Sequence, residues 1–395
     1  MQQFIISNHK IPLSVPLLFG HEWRYVKKCF TTGWVSSGGQ YVEQFEEAIR
    51  QYCHANHATA CINGTAALHI ALKIAGVNPH DEVIVPTLTF IAAANAVRYV
   101  NAEPIFMDCD QYYNLHIEKT IEFITSNTVL KKGYAYNKIS GRRISALIPV
   151  HVLGNAVDLE ELVLACRKRN IAVIEDATES LGTKYRRGKY RGRYTGTIGR
   201  VGCLSFNGNK IITTGGGGMI LTSDSHLAKM AQYLTTQAKD DSLRYIHNAI
   251  GYNFRLNNIQ AAFGIAQLQR LPNILKIKEK NYRVYKKHIG TINGLKMGDV
   301  PGYARNNHWM YALQINKKKY GRSKDELIRL FNRENIEVRP LWYLNHLQKP
   351  YQRNQSYKIE NAYKMWKTTL NIPCSAGLKE SEIKKVVSLL KKWKK

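Results

Sequence analysis

The sequence predicts an α/β protein, with a large domain on a mostly parallel central sheet and a smaller C-terminal α+β domain. Two observations carry this. From residue 57 to about 224, short β-branched runs alternate with helix-length amphipathic segments, the rhythm of strands overlaid by helices. After residue 257 the rhythm stops, and a long helical stretch and scattered strands replace it.

The runs that read as strands are Ala58–Ile62, Glu82–Val85, Pro104–Met107, Ala146–Val150, Ile171–Ile174, Cys203–Phe206 and Gly218–Leu221. Helices are expected near 42–53, 64–76, 90–100, 158–169 and 225–238. The stretch Asn257–Leu271 repeats its apolar residues at three and four, and Pro272 is expected to end it. Beyond it the pattern predicts a strand over Trp309–Ile315 and a helix opened by the Ser323–Glu326 capping box. A strand over Ile336–Pro340 and a terminal helix from Glu380 complete the expected set. Residues 1–256, N-terminal segment included, form the expected large domain, and 257–395 the connecting helix and small domain.

The chain has 395 residues, 44% of them hydrophobic, enough to bury a substantial core. Met1–Gly20 lacks a basic start followed by a long apolar run, and no later apolar run reaches a membrane-spanning length. The seven cysteines are scattered and never form a C-x-x-C pair, so neither a disulfide framework nor a zinc site is indicated. A cytoplasmic protein without metal is expected. The net charge of +28 raises the question of nucleic acid. Lys and Arg are spread along the chain without helix-turn-helix or zinc-finger spacing, so a basic surface that attracts anionic small molecules is expected instead.

Four places carry chemistry. Lys210 follows Ser205-Phe-Asn-Gly-Asn and precedes the four glycines Gly215 to Gly218. A lysine between a strand end and a glycine turn can reach into a cleft and form a Schiff base, although many such lysines are only solvated. The apolar run Ile171–Ile174 ends in Glu175 and Asp176, and ligands bind at carboxyl ends of parallel strands. Asp176 could keep a pyridine nitrogen protonated or simply cap the next helix, on whose same side Glu179 would lie. Asn63-Gly64-Thr65-Ala66 turns from strand to helix, where free amides and the helix dipole favour phosphate, or where small residues serve close packing. Phe90, opening a helix, belongs either to the core or to a stack on a flat ring.

In this order, phosphate turn, aromatic, acid and lysine resemble the DegT/DnrJ/EryC1/StrS sugar aminotransferases, of the aspartate-aminotransferase-like, pyridoxal-phosphate (PLP) fold type I. The likeness runs from Ile11-Pro-Leu-Ser-Val through Gly33-Trp-Val-Ser-Ser37, Thr89-Phe90, Glu175-Asp176-Ala177, Ser205–Lys210 and Gly251-Tyr-Asn-Phe-Arg255 to Asn371-Ile-Pro373. The resemblance implies that Lys210 holds pyridoxal 5′-phosphate and later moves a proton to the substrate carbon. It implies that Asp176 pairs with the pyridine nitrogen, that Glu179 lies beside the ring and that Phe90 stacks on it. Gly64, Thr65 and Ser205 match phosphate-binding positions, and Asn253 matches an asparagine that reaches the phosphate from the partner subunit of a homodimer.

Many relatives carry Gly-Glu-Gly-Gly after the lysine, whereas here Gly216 replaces the acid. The segment Asn207–Met219 resembles the LegC branch. That likeness implies amination at C4 of a UDP-linked 4-keto-6-deoxy-N-acetylhexosamine, with L-glutamate as donor, on routes to legionaminic acid or bacillosamine in surface glycan and lipopolysaccharide biosynthesis. The alternative is a perosamine synthase acting on GDP-linked 4-keto-6-deoxymannose. Related sugar dehydratases carry histidine where this chain has Lys210, and a non-catalytic binding protein of the same fold would not need Lys210, Asp176 and Ser205 together. His151, Arg339, His346 and Tyr351 are further candidates to line the cleft, with a structural role equally open for His151.

Overall fold

The computed structural model describes residues 10–395. Residues 1–9 of the expected large domain lie outside them. An eight-stranded sheet forms the centre, and in spatial order its strands are His57–Cys61, Gly218–Thr222, Val201–Ser205, Ala172–Asp176, Ile144–Leu147, Glu82–Pro86, Glu103–Met107 and Ser356–Tyr357. The first two pairings are antiparallel and the remaining ones parallel. Most of these strands are buried along their length, which is why they read as continuous apolar runs. Helices Gly64–Ile74, Ala92–Tyr99 and Ser225–Thr235 contribute Leu68, Ile70, Leu72, Val97 and Leu234 to one core cluster. Helix Glu160–Arg167 adds Leu162 and Cys166 to another.

A second, four-stranded antiparallel sheet is built from Leu295–Met297, Tyr311–Ile315, Thr369–Ile372 and Arg339–Pro340. Its core includes Tyr311, Leu313, Tyr320, Phe331, Ile372 and Leu390. The capping box opens helix Lys324–Arg333, and the terminal helix spans Glu380–Lys392. The strand expected over Ile336–Pro340 shrinks to its last two residues, because Ile336 bridges Ile11 instead.

Pro272 does not stop its helix. One helix runs from Asn258 to Ile289 with Pro272 inside it. An internal proline costs about 3 kcal/mol, and each fully buried aliphatic side chain offsets roughly 1.5–3 kcal/mol. Leu271 and Ile274 pack into one core cluster while Tyr285 and Ile289 pack into another, so both halves are held helical. This helix contributes residues to both clusters. Residues 11–15 reach the C-terminal unit. Ile11 is buried in the C-terminal core, Leu13 accepts the Cys374 N–H at 2.7 Å, and Val15 N–H donates to Ser375 Oγ at 3.0 Å.

No helix among the described residues is long and apolar enough to cross a membrane. All seven cysteines are buried and unpaired.

Candidate active site

Strand ends bring the candidate residues together. Gly64, Thr65, Phe90, Glu179, Ser205 and Lys210 line one cavity of about 630 Å³. Asn63 ends the turn after strand His57–Cys61, and its Oδ1 accepts the Ala66 N–H at 2.8 Å. The N–H groups of Gly64 and Thr65, at the positive end of helix Gly64–Ile74, remain for an anionic ligand. A side chain at Gly64 has no room, because a Cβ there would lie 2.9 Å from the Ser205 Cβ. Gly64 and Ser205, both expected at the phosphate, are therefore adjacent.

Asp176 ends strand Ala172–Asp176 and is buried, although it does not line the cavity surface. Its Oδ1 accepts the Thr178 N–H at 3.1 Å. No helix begins there. Residues 177–183 form successive turns, and these bring Glu179 into the cavity wall. Glu179 is buried, accepts the Leu153 N–H at 2.7 Å and lies near the Lys210 amine. Burial pushes its carboxyl up to about 7, against the pull of Lys210 and the Leu153 N–H. Lys210 is half-buried, and burial draws its amine below its ordinary value while Glu179 and Asp176 act in the other direction. An amine so placed loses its proton more readily, which suits a lysine that bonds covalently to a carbonyl and shuttles protons.

Phe90 stands at the cavity wall with 55% of its surface exposed, free to cover a flat ring. Asn253 is exposed and absent from its own chain's cavity, whereas its neighbour Phe254 lines it. The segment is tied down by Arg255, which bonds to the Glu46 carboxylate, and by the Ile62 N–H to Phe254 carbonyl bond of 2.7 Å.

The remaining candidates do not line this cavity. His151 is fully buried, with Nε2 2.9 Å from Glu175 and Nδ1 accepting the Val157 N–H at 3.0 Å. His346 bonds Thr87 and Tyr363, and Tyr351 is buried with its hydroxyl donating to Asn95. Arg339 is exposed and pairs with Glu337. What the sequence missed is the cover. Trp309, Trp342, His69 and Tyr99 complete the cavity lining. An aromatic at the mouth of the strand over Tyr311–Ile315 was the available signal for Trp309.

A larger cavity of about 870 Å³ lies elsewhere, lined by Asp110, Glu118, Asp158, Glu160 and Glu161 among others. It holds none of the candidate residues, and its carboxylates share the wall with Arg187 and Lys364. Among the described residues no cluster of His, Cys, Asp and Glu could hold a metal ion.

Residues 19–391 match the model of the DegT/DnrJ/EryC1/StrS aminotransferase family. The chain is 37% identical to the GDP-perosamine synthase of Caulobacter vibrioides, over 96% of this chain and 97% of the relative. It is 34% identical to the putative pyridoxal phosphate-dependent aminotransferase EpsN of Bacillus subtilis, over 96% and 95%. A solved DegT DnrJ EryC1 StrS aminotransferase from Brucella abortus superposes with a TM-score of 0.85 at 25% identity, over 94% and 95% of the two chains. The expected fold type I architecture is met. The chain belongs to the DegT/DnrJ/EryC1/StrS aminotransferase family, whose aminotransferases depend on pyridoxal 5′-phosphate.

Proposed function

We propose that the chain aminates C4 of GDP-linked 4-keto-6-deoxymannose, using Lys210 to hold the cofactor and L-glutamate as the donor. The observation that carries the aminotransferase reading is the Lys210 amine beside buried Glu179, in a cavity that the adjacent Gly64 and Ser205 also line. A phosphorylated, flat cofactor fits that donor set. When bound, it supplies an electron-accepting ring and carries the amino group between donor and sugar.

The chain's own residues do the rest. The amides of Gly64 and Thr65 and the Ser205 hydroxyl bind the phosphate. The Asp176 carboxylate would hold the ring nitrogen of the bound cofactor and keep it protonated. Lys210 Nζ moves the proton at the sugar's C4, and Glu179 stabilises the charged form of that amine. Phe90 covers the ring. Asn253 serves the partner subunit's phosphate in a homodimer, a reading supported by its exposure outside the lining of its own cavity and by exposed Phe90, Tyr99 and Ile250.

The UDP-linked sugar of the legionaminic acid or bacillosamine routes was the first expectation. The GDP-linked alternative is better supported, by the 37% identity to a relative named GDP-perosamine synthase over nearly the whole of both chains. A panel of nucleotide keto-sugars tested with L-glutamate and read by mass spectrometry decides between them. The GDP-linked 4-keto-6-deoxymannose is expected to give the highest kcat/KM. Faster turnover of the UDP-linked 4-keto-6-deoxy-N-acetylhexosamine would return the enzyme to the LegC branch.

A further inference from the structure

The C-terminal unit meets Lys210 through Trp309. This residue lies just before strand Tyr311–Ile315, is 4% exposed and lays its ring face 4.4 Å from Lys210 Nζ. Its indole N–H donates to the carbonyl of Asn209, the residue before Lys210, at 2.7 Å. The Trp309 backbone is itself fixed on both sides. Its N–H donates to Asn307 Oδ1 at 2.9 Å, and Asn307 Nδ2 in turn donates to the Glu179 carbonyl at 2.9 Å. Its carbonyl accepts from the buried ammonium of Lys278 at 2.7 Å, which also donates to the Cys374 carbonyl at 2.6 Å.

We propose that Trp309 is a positioning residue for Lys210. The ring face holds the ammonium whenever it is free of the cofactor, and the indole N–H fixes the turn that carries it. This rests on Lys210 being the cofactor-bearing lysine. Lys210 is half-buried in the cavity wall, and among the described residues its Nζ makes no hydrogen bond, which leaves the indole face as its close partner. A cation drawn partly out of water gains from such a contact with an electron-rich ring. Because Asn307 grips both Trp309 and the Glu179 segment, the ring and the carboxylate stay in register on the same amine. The Lys278 bridge couples this arrangement to the four-stranded sheet.

The test uses the full-length holoenzyme carrying Trp309→Phe or Trp309→Met. Borohydride reduction and peptide mapping come first. A label on any lysine other than Lys210 overturns the underlying reading, and is distinguishable from failure of this one. Phe keeps a ring face without the N–H, so kcat for the donor half-reaction should stay within about threefold of wild type. Met keeps bulk without a ring, so kcat should fall about tenfold while KM for the donor changes less than about twofold. The pH midpoint of the cofactor's visible band should move to lower pH in the Met variant and stay in place in the Phe variant, since of the two side chains only Phe keeps a ring face that favours the charged nitrogen. A Met variant with the wild-type midpoint and rate overturns the proposal, as do equal losses in both variants. Fluorinated tryptophans placed at 309 keep shape and fold while weakening the face. Their rates should fall stepwise with fluorine number, and a flat series also overturns the proposal.

Discussion

The floor and the cover of the cleft are built by different rules. Gly64, Asp176, Glu179, Ser205 and Lys210 stand at the ends of the central strands or in the turns leaving them, and each is a residue type that its chemistry requires. A phosphate needs free amides and no Cβ, a pyridine nitrogen needs an acid, and a covalent carbonyl bond needs an amine. The part of the cover that comes from beyond residue 257, Trp309 and Trp342, needs only bulk and an aromatic face. On the proposed reading the floor sets the reaction, and the cover adjusts how its lysine is held.

The sharpest way to break this comparison is at the floor. Asp176→Asn should leave melting behaviour close to wild type and cost several orders of magnitude in kcat, because a neutral amide no longer keeps the ring nitrogen protonated. Near-normal turnover would mean that Asp176 serves only the Thr178 N–H that it accepts at 3.1 Å. Floor and cover would then differ little in weight.

That asymmetry also explains what the sequence made legible. The strands and most helices of the large unit emerged from β-branched runs and apolar periodicity, because burial on both faces leaves little freedom in composition. Local rules failed where distant packing decided the outcome. Pro272 is a stop signal that two core clusters override, and residues 11–15 pack on a core assembled from residues after 282. Glu179 reached the cavity through turns instead of the helix its spacing implied, and Trp309 gave no sign of its contact with a lysine 99 positions earlier. His151 needed its two buried bonds to be read as structural.

A second prediction tests whether the floor is complete within one chain. Lys210→Ala and Asn253→Asp chains, each nearly inactive alone, are mixed under subunit exchange confirmed with tags. If Asn253 serves the neighbour, one site of each mixed dimer carries both lesions and the other none. Random exchange makes half the dimers mixed, so activity should recover to roughly a quarter of wild type. No recovery would place Asn253 at the site of its own chain.

The smallest expected effect concerns Glu179, which stands between floor and cover because Asn307 joins its carbonyl to Trp309. In the cofactor-free protein its carboxyl is raised from an ordinary 4.5 to about 7, chiefly by burial. Between those values the folded chain holds a proton that the unfolded chain releases, so this group's contribution to stability falls as pH rises from 4.5 and levels off above 7. Gln is neutral throughout and lacks that slope. Melting temperatures measured from pH 4.5 to 7.5 should therefore show wild type losing ground to Glu179→Gln across the window, with the difference constant above it. Parallel curves would mean that the folded carboxyl titrates as it does in the unfolded chain. Because Gln keeps the length of the side chain and an oxygen to accept the Leu153 N–H, turnover of the variant at neutral pH should stay within a few-fold of wild type. A loss as large as that of Asp176→Asn would move Glu179 from a group that sets the lysine's charge to one that takes part in the proton transfer itself.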